Sequence, residues 1–309
     1  ESVEKISTFS PQELANVVWA FQEAGIQSPF LFDQAAEQTV KKIRLYKAQE
    51  LANTALVYAK AHRASPVLFQ EIATESVRQV QFMNSQALAN IVWAFAKAGV
   101  SAPDLFQAVA NESNRKMTTF NAQALVNMTY AFASARIEAP ALFAAVAIEA
   151  RKRISTFNSQ DLTTIVSAYA GAGEEAPGLF WEVADASIRK ISTFQPRALA
   201  TLVRVYAAVG FSAPKLFSAV AAEAAQKIFD FDAEDLSVIS HAFATADFEA
   251  RDLFEAVAGE SVKKMATFTS QHVEKLARAF QTAQFDAPAL LDAIKAFDEP
   301  PKRPPAEMA

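Results

Sequence analysis

Three columns of side chains recur through this chain at a step of 37 residues, and their types are those that hydrogen-bond and stack. The first holds Gln12, Gln49, Gln86, Gln123, Gln160, Arg197, Glu234 and Gln271. The second holds Asn16, Asn53, Asn90, Asn127, Thr164, Thr201, Val238 and Lys275, and the third Trp19, Leu56, Trp93, Tyr130, Ser167, Arg204, His241 and Arg278. Amides pair with base edges or peptide groups, and ring and guanidinium planes stack on bases. On a helix turning about 100° per residue, positions 12, 16, 19 and 23 fall within about 60° of one another, opposite the apolar line Leu14, Val17 and Phe21. The ligand-binding face read from this pattern is Gln12, Asn16, Trp19, Asn53, Asn90, Trp93, Asn127, Tyr130, Arg204, His241, Lys275 and Arg278. Such a ladder suits single-stranded nucleic acid at about one base per repeat. It suits an extended peptide equally, and two plainer readings stand beside both. The amides can bond the neighbouring repeat, and the rings can fill the gap between repeats.

A second pattern is basic. Lys5, Lys41, Lys42, Arg78, Arg115, Lys116, Lys152, Arg153, Arg189, Lys190, Lys227, Lys263 and Lys264 close successive repeats and account for 13 of the 29 Lys and Arg. The net charge of -5 means the whole chain repels phosphate, so binding of nucleic acid must come from a local patch. The candidate phosphate contacts are Lys41, Lys42, Arg115, Lys116, Lys152, Arg153, Arg189, Lys190, Lys263 and Lys264. These cations also sit where they complement a helix dipole. Glu75, Glu112, Glu149, Glu223 and Glu260 lie three to four residues upstream, in the favourable order for helical ion pairs.

Little supports catalysis. The chain has no cysteine, which excludes thiol nucleophiles, disulfides and sulfur-ligated zinc. His62, His241 and His272 occupy three different columns with no metal-ligand spacing, and there is no glycine-rich phosphate loop or recurrent acid pair. The expectation is a chain that is not an enzyme, with no metal, no cofactor and no small-molecule substrate. No apolar run reaches the roughly 18 residues of a membrane helix, so no membrane insertion is expected.

The positioning elements follow from the same period. Pro29, Pro66, Pro103, Pro140, Pro177, Pro214 and Pro288 share one column, with Arg251 in the place of one proline. Proline suits the first position of a helix, where its missing N–H costs nothing. Upstream in each unit, Ser10, Asn84, Asn121, Asn158, Asp232 and Thr269 can cap a first helix, and Ser10 and Glu13 have capping-box spacing. Gly25, Gly99, Gly173 and Gly210 mark where first helices stop in a left-handed residue. Scarce glycine, 7 residues of 309, favours helix throughout, and no strand is expected. The prediction is an all-α solenoid of about eight 37-residue helix-turn-helix repeats in a superhelix, residues 9–297. Small flanking residues such as Ala15, Ala52, Ala89, Ala94 and Ala131 let the first helices approach and form one concave wall. Residues 1–8 match the end of a second helix, which predicts a truncated preceding repeat. Residues 298–309, with Glu-Pro-Pro-Lys-Arg-Pro-Pro, read as an extended tail.

The strings Ser-Gln-Ala-Leu-Ala-Asn-Ile-Val-Trp-Ala-Phe-Ala (85–96), Ala-Pro-Asp-Leu-Phe-Gln-Ala-Val-Ala (102–110) and Phe-Asn-Ala-Gln-Ala-Leu-Val-Asn (120–127) resemble those of the organellar octotricopeptide and heptatricopeptide repeat families. These are related to RAP-domain and FAST-kinase-like RNA-binding proteins, and the present period matches the heptatricopeptide length. The resemblance covers nearly all of residues 1–297. It implies single-stranded RNA binding in a chloroplast or mitochondrion, in RNA processing, stability or translation. Members also serve as structural subunits of large organellar assemblies, which makes a protein-binding scaffold the alternative.

Overall fold

The computed structural model describes residues 6–26 and 28–298, and among them there are 16 α-helices and no strand. Lys5, the other residues before Ile6, and the predicted tail beyond Asp298 lie outside the described residues. First helices are α1 (Pro11–Glu23), α3 (Ala48–Lys60), α5 (Ser85–Ala98), α7 (Ala122–Ala135), α9 (Ser159–Ala172), α11 (Pro196–Ala208), α13 (Ala233–Thr245) and α15 (Ser270–Thr282). Second helices are α2 (Pro29–Lys42), α4 (Pro66–Gln79), α6 (Pro103–Lys116), α8 (Pro140–Arg153), α10 (Pro177–Arg189), α12 (Pro214–Gln226), α14 (Arg251–Lys264) and α16 (Pro288–Asp298). A three-residue 3-10 turn precedes each first helix, beginning with Ile6–Thr8 and ending with Met265–Thr267.

Local chemistry sets these boundaries as the sequence predicts. Ser10 and Glu13 form the reciprocal capping box, and the side chains of Asn84, Asn121, Asn158, Asp232 and Thr269 each accept a backbone N–H three residues on. His272 is the reciprocal partner in the last of these caps, where its Nδ1 faces the Thr269 N–H. The four predicted glycine stops all have positive φ. The intervening repeats reach the same left-handed conformation without glycine, at His62, Arg136, Asp247 and Gln284, with φ of 53°, 54°, 50° and 51°. His62 therefore ends a helix.

The described residues fall within two compact units, one within Glu1–Phe157 and Gly171–Leu179, the other within Asn158–Ala170 and Phe180–Ala309. In the first unit α1, α3, α5 and α7 pack consecutively, with α2, α4, α6 and α8 stacked in parallel order behind them. Ala52, Ala89, Ala94 and Ala131 are fully buried at these contacts, which is what lets the first helices approach. Second helices place a phenylalanine against an aromatic ring of the next first helix: Phe69 meets Phe95 at 4.9 Å and Phe106 meets Phe132 at 5.0 Å between centroids. In the second unit α11, α13 and α15 pack consecutively and the same device recurs, with Phe217 on Phe243 and Phe254 on Phe280, each at 5.1 Å. Where the first-helix ring is tyrosine, its hydroxyl donates to the carbonyl of the phenylalanine, as in Tyr58 to Phe32 (2.9 Å) and Tyr206 to Phe180 (2.6 Å). A buried hydroxyl is thus satisfied without interrupting the apolar seam.

Candidate nucleic-acid interface

On the first-helix face of the first unit, the amide columns pair within each helix. Gln49 Nε2 donates to Asn53 Oδ1 at 3.0 Å, Gln86 to Asn90 at 2.7 Å, and Gln123 to Asn127 at 2.9 Å. The spacing of four residues brings the two side chains together one turn apart. The amides bond their own helix rather than the neighbouring repeat. Each pair leaves the asparagine N–H groups and the glutamine oxygen unengaged, one donor end and one acceptor end. Gln12, Asn16 and Asn53 are exposed and Asn127 is half-buried. Asn90 departs from the expected open face: it is only 9% exposed.

The rings lie three residues beyond the asparagines, on the same strip of helix. Trp19 is 55% exposed, Tyr130 is 37% exposed and Trp93 is half-buried. Trp19 and Tyr130, held in solvent, do not fill the gap between repeats. The equivalent positions in the second unit carry different chemistry. Gln160 donates to Thr164 at 3.0 Å, Arg197 bridges from α11 to Glu234 on α13 at 3.0 Å, and Arg278 pairs with Glu274 one turn away. Arg204 and His241 are exposed, His241 within 3.1 Å of the Thr245 hydroxyl, and Lys275 is half-buried. These three columns carry charge in the second unit, whereas in the first unit they are uncharged.

The basic ends of the second helices divide into two columns with opposite fates. In the inner column the cation reaches back to carbonyls of the preceding 3-10 turn. Lys42 donates to Ser7 (2.8 Å) and Phe9 (2.6 Å), Lys116 to Gln81 (2.7 Å) and Met83 (2.8 Å), and Arg153 to Thr118 (2.8 Å). In the second unit Lys227 donates to Ser192 and Phe194, and Lys264 to Phe229 and Phe231. Lys190 holds the same register. A glutamate one turn upstream braces most of these cations: Glu112 to Lys116 at 2.9 Å, Glu149 to Arg153 at 2.7 Å and Glu260 to Lys264 at 3.1 Å. Five residues predicted as phosphate contacts therefore sit in the inter-repeat register, and for Lys42, Lys116, Arg153 and Lys264 the donors already hold one repeat to the next. The sequence carried a sign of this in Gln79, an uncharged donor at the same register, which bonds the Tyr46 carbonyl at 2.8 Å.

The outer column faces solvent. Lys41, Arg115, Lys152, Arg189 and Lys263 are exposed. Arg115, Lys152 and Lys263 also touch the buried glutamates, at 3.5, 3.1 and 3.1 Å. Each such carboxylate faces two cations, so each cluster keeps one positive charge in excess and shows it on the outside. Burial by itself pushes the Glu149 and Glu260 carboxyls up. The hydrogen bonds from Arg153 and Lys152, and from Lys263 and Lys264, outweigh it and hold both below the usual carboxylate range. Since each turn runs directly into the next first helix, the cations lie along the edge where the glutamine column begins.

The family model of RNA-editing substrate-binding complex 6 protein matches residues 1–201 and 152–297. The chain belongs to this family. The two matches overlap across 152–201, as a repeating array allows when it is shifted by whole units. No curated protein matches the chain. Among the described residues no group of His, Cys, Asp and Glu has a metal-holding arrangement, and no helix is long and apolar enough to cross a membrane.

Proposed function

We propose that this chain is a non-catalytic helical-repeat scaffold that binds single-stranded RNA. Its family is named for an assembly that binds RNA-editing substrates. The repeat strings that resemble heptatricopeptide proteins point to work in an organelle, in RNA processing, stability or translation. The observation that carries the reading is the ladder of uncharged columns in the first unit, where Trp19 and Tyr130 stand in solvent in line with the Gln–Asn pairs. Rings of this kind stack on bases of any sequence, and oriented amides read their edges. The outer cations Arg115 and Lys152 supply a phosphate track along the adjoining edge, while the inner cations maintain the repeat stack.

The test is binding of the purified chain to labelled single-stranded RNA over a salt series. Replacing Trp19, Trp93 and Tyr130 with Ala is expected to weaken binding by about 1–3 kcal/mol per stacked base with helicity unchanged. Neutralising Arg115 and Lys152 should flatten the slope of log affinity against log salt by about one unit for each phosphate that then keeps its counterion. Neutralising Lys116 should instead lower stability. If no salt-dependent binding occurs at low ionic strength, the RNA reading fails and a protein scaffold replaces it.

A further inference from the structure

The residue that ends the 3-10 turn is most often threonine, and Leu45, Phe82 and Asp230 depart from that pattern. Thr119, Thr156, Thr193 and Thr267 each turn their hydroxyl back to the last carbonyls of the second helix, donating to Lys116, Arg153, Lys190 and Lys264 at 2.7 to 2.8 Å. A side chain that closes a helix end in this way has a structural reason to be there. Leu45 and Phe82 occupy the same register in the first unit, give up that bond, and stand 67% and 72% exposed. They lie one repeat apart: the turn Ile43–Leu45 packs on α4, and α4 runs into the turn Val80–Phe82. Most of each side chain is left outside the fold.

Their surroundings specify what would cover them. Arg44 and Arg78 flank the pair and are exposed, while Glu75, the carboxylate that partners both, is buried beneath them at 3.7 and 3.1 Å. The charge that reaches solvent at this edge is therefore positive, around two apolar side chains. Phenylalanine and arginine are the residue types enriched at protein interfaces, and an aliphatic Leu45 offers nothing for a base to stack on.

We infer that this edge is a docking site for an acidic protein segment that carries apolar side chains. Leu45 and Phe82 receive the apolar side chains, and Arg44 and Arg78 pair with its carboxylates. The inference is independent of the RNA reading, because it uses neither the first-helix face nor Arg115 and Lys152.

The experiment selects a random-peptide phage library on the wild-type chain, with the L45T/F82T chain as counter-target. Threonine is the residue most other repeats use here, so that variant should melt at or above the wild-type temperature. The enriched peptides should be acidic with Leu, Phe or Trp. A synthetic representative should bind L45T/F82T and R44Q/R78Q at least about tenfold more weakly than wild type, a loss of the size expected when interface anchors are removed. Affinity for single-stranded RNA should be equal in wild type and L45T/F82T, so a chain that fails to bind RNA leaves the peptide result standing. Enriched peptides that bind L45T/F82T as tightly as wild type overturn the inference, as does a selection that yields none. An equal fall in affinity of L45T/F82T for RNA or for anionic phosphatidylserine vesicles overturns it too, and assigns the edge to that ligand.

Discussion

Lys116 donates to the carbonyl of Met83 at 2.8 Å across 33 residues of chain, while its ammonium rests 2.9 Å from the buried Glu112. Removing it breaks an inter-repeat bond and leaves a buried carboxylate with only Arg115 beside it. Charged hydrogen bonds of this kind contribute about 1.5–3 kcal/mol. Partial solvent exposure of the Lys116 side chain places Lys116→Met toward the lower end. Lys116→Gln should cost less, since Gln79 performs the same task in its own repeat. Urea unfolding monitored by circular dichroism measures both, and equal midpoints for wild type and Lys116→Met would contradict a structural role for this ammonium.

Glu149 and Glu260 make stability fall in acid. Glu149 has a folded pKa below its ordinary value of 4.5, so its contribution is present above that pH and is lost as pH falls through the lower, folded value. Asp235 has the opposite sign. Burial, with the nearby Asp232 charge adding to it, raises its carboxyl from 3.8 to about 6, so the charged form costs stability at neutral pH and the cost disappears as pH falls from about 6 toward 3.8. Melting temperatures taken from pH 7 down to strong acid should show Glu149→Gln below wild type with a gap that closes in acid. Asp235→Asn should lie above wild type at neutral pH and converge with it near the ordinary aspartate range.

Phe106 is buried against Phe132 at 5.0 Å, joining α6 to α7. Truncation to Ala leaves a cavity and should lower stability by about 3–5 kcal/mol. In an array where each repeat touches only its neighbours, the loss should appear first in the repeats on either side. Hydrogen exchange that rises uniformly along the chain would exclude such local coupling.

Arg136 ends α7 at φ 54°, where its neighbour in the preceding repeat is Gly99 at φ 67°. A left-handed residue with a Cβ costs about 1–2 kcal/mol, and the greater freedom of glycine in the unfolded chain offsets part of any gain. Arg136→Gly should therefore raise stability by about 0.5–1 kcal/mol, readable as a higher melting temperature. A lower one would mean that the arginine side chain supports the turn.

Much of the architecture was legible in the sequence because it is decided within one or two turns of chain. Proline starts, Asn84 and Asn121 as caps, and Gly99 as a stop act on backbone groups three or four residues away, and the 37-residue step repeats them in register. The exposed Trp19 follows from helical spacing in the same way, whereas the Gln86–Asn90 pairing within one helix was not read from the sequence. What tertiary structure alone decided is the fate of residues that are neighbours in sequence. Lys116 and Arg115 differ by one position, yet about 100° of helical rotation turns one toward the carbonyls of the preceding repeat and leaves the other in water. Asn90 and Asn16 share a column, yet Asn90 is enclosed in the stacked repeats and Asn16 is exposed. Only contacts between one repeat and the next separate the structural cations and amides from the available ones, and those contacts exist only once the repeats are stacked.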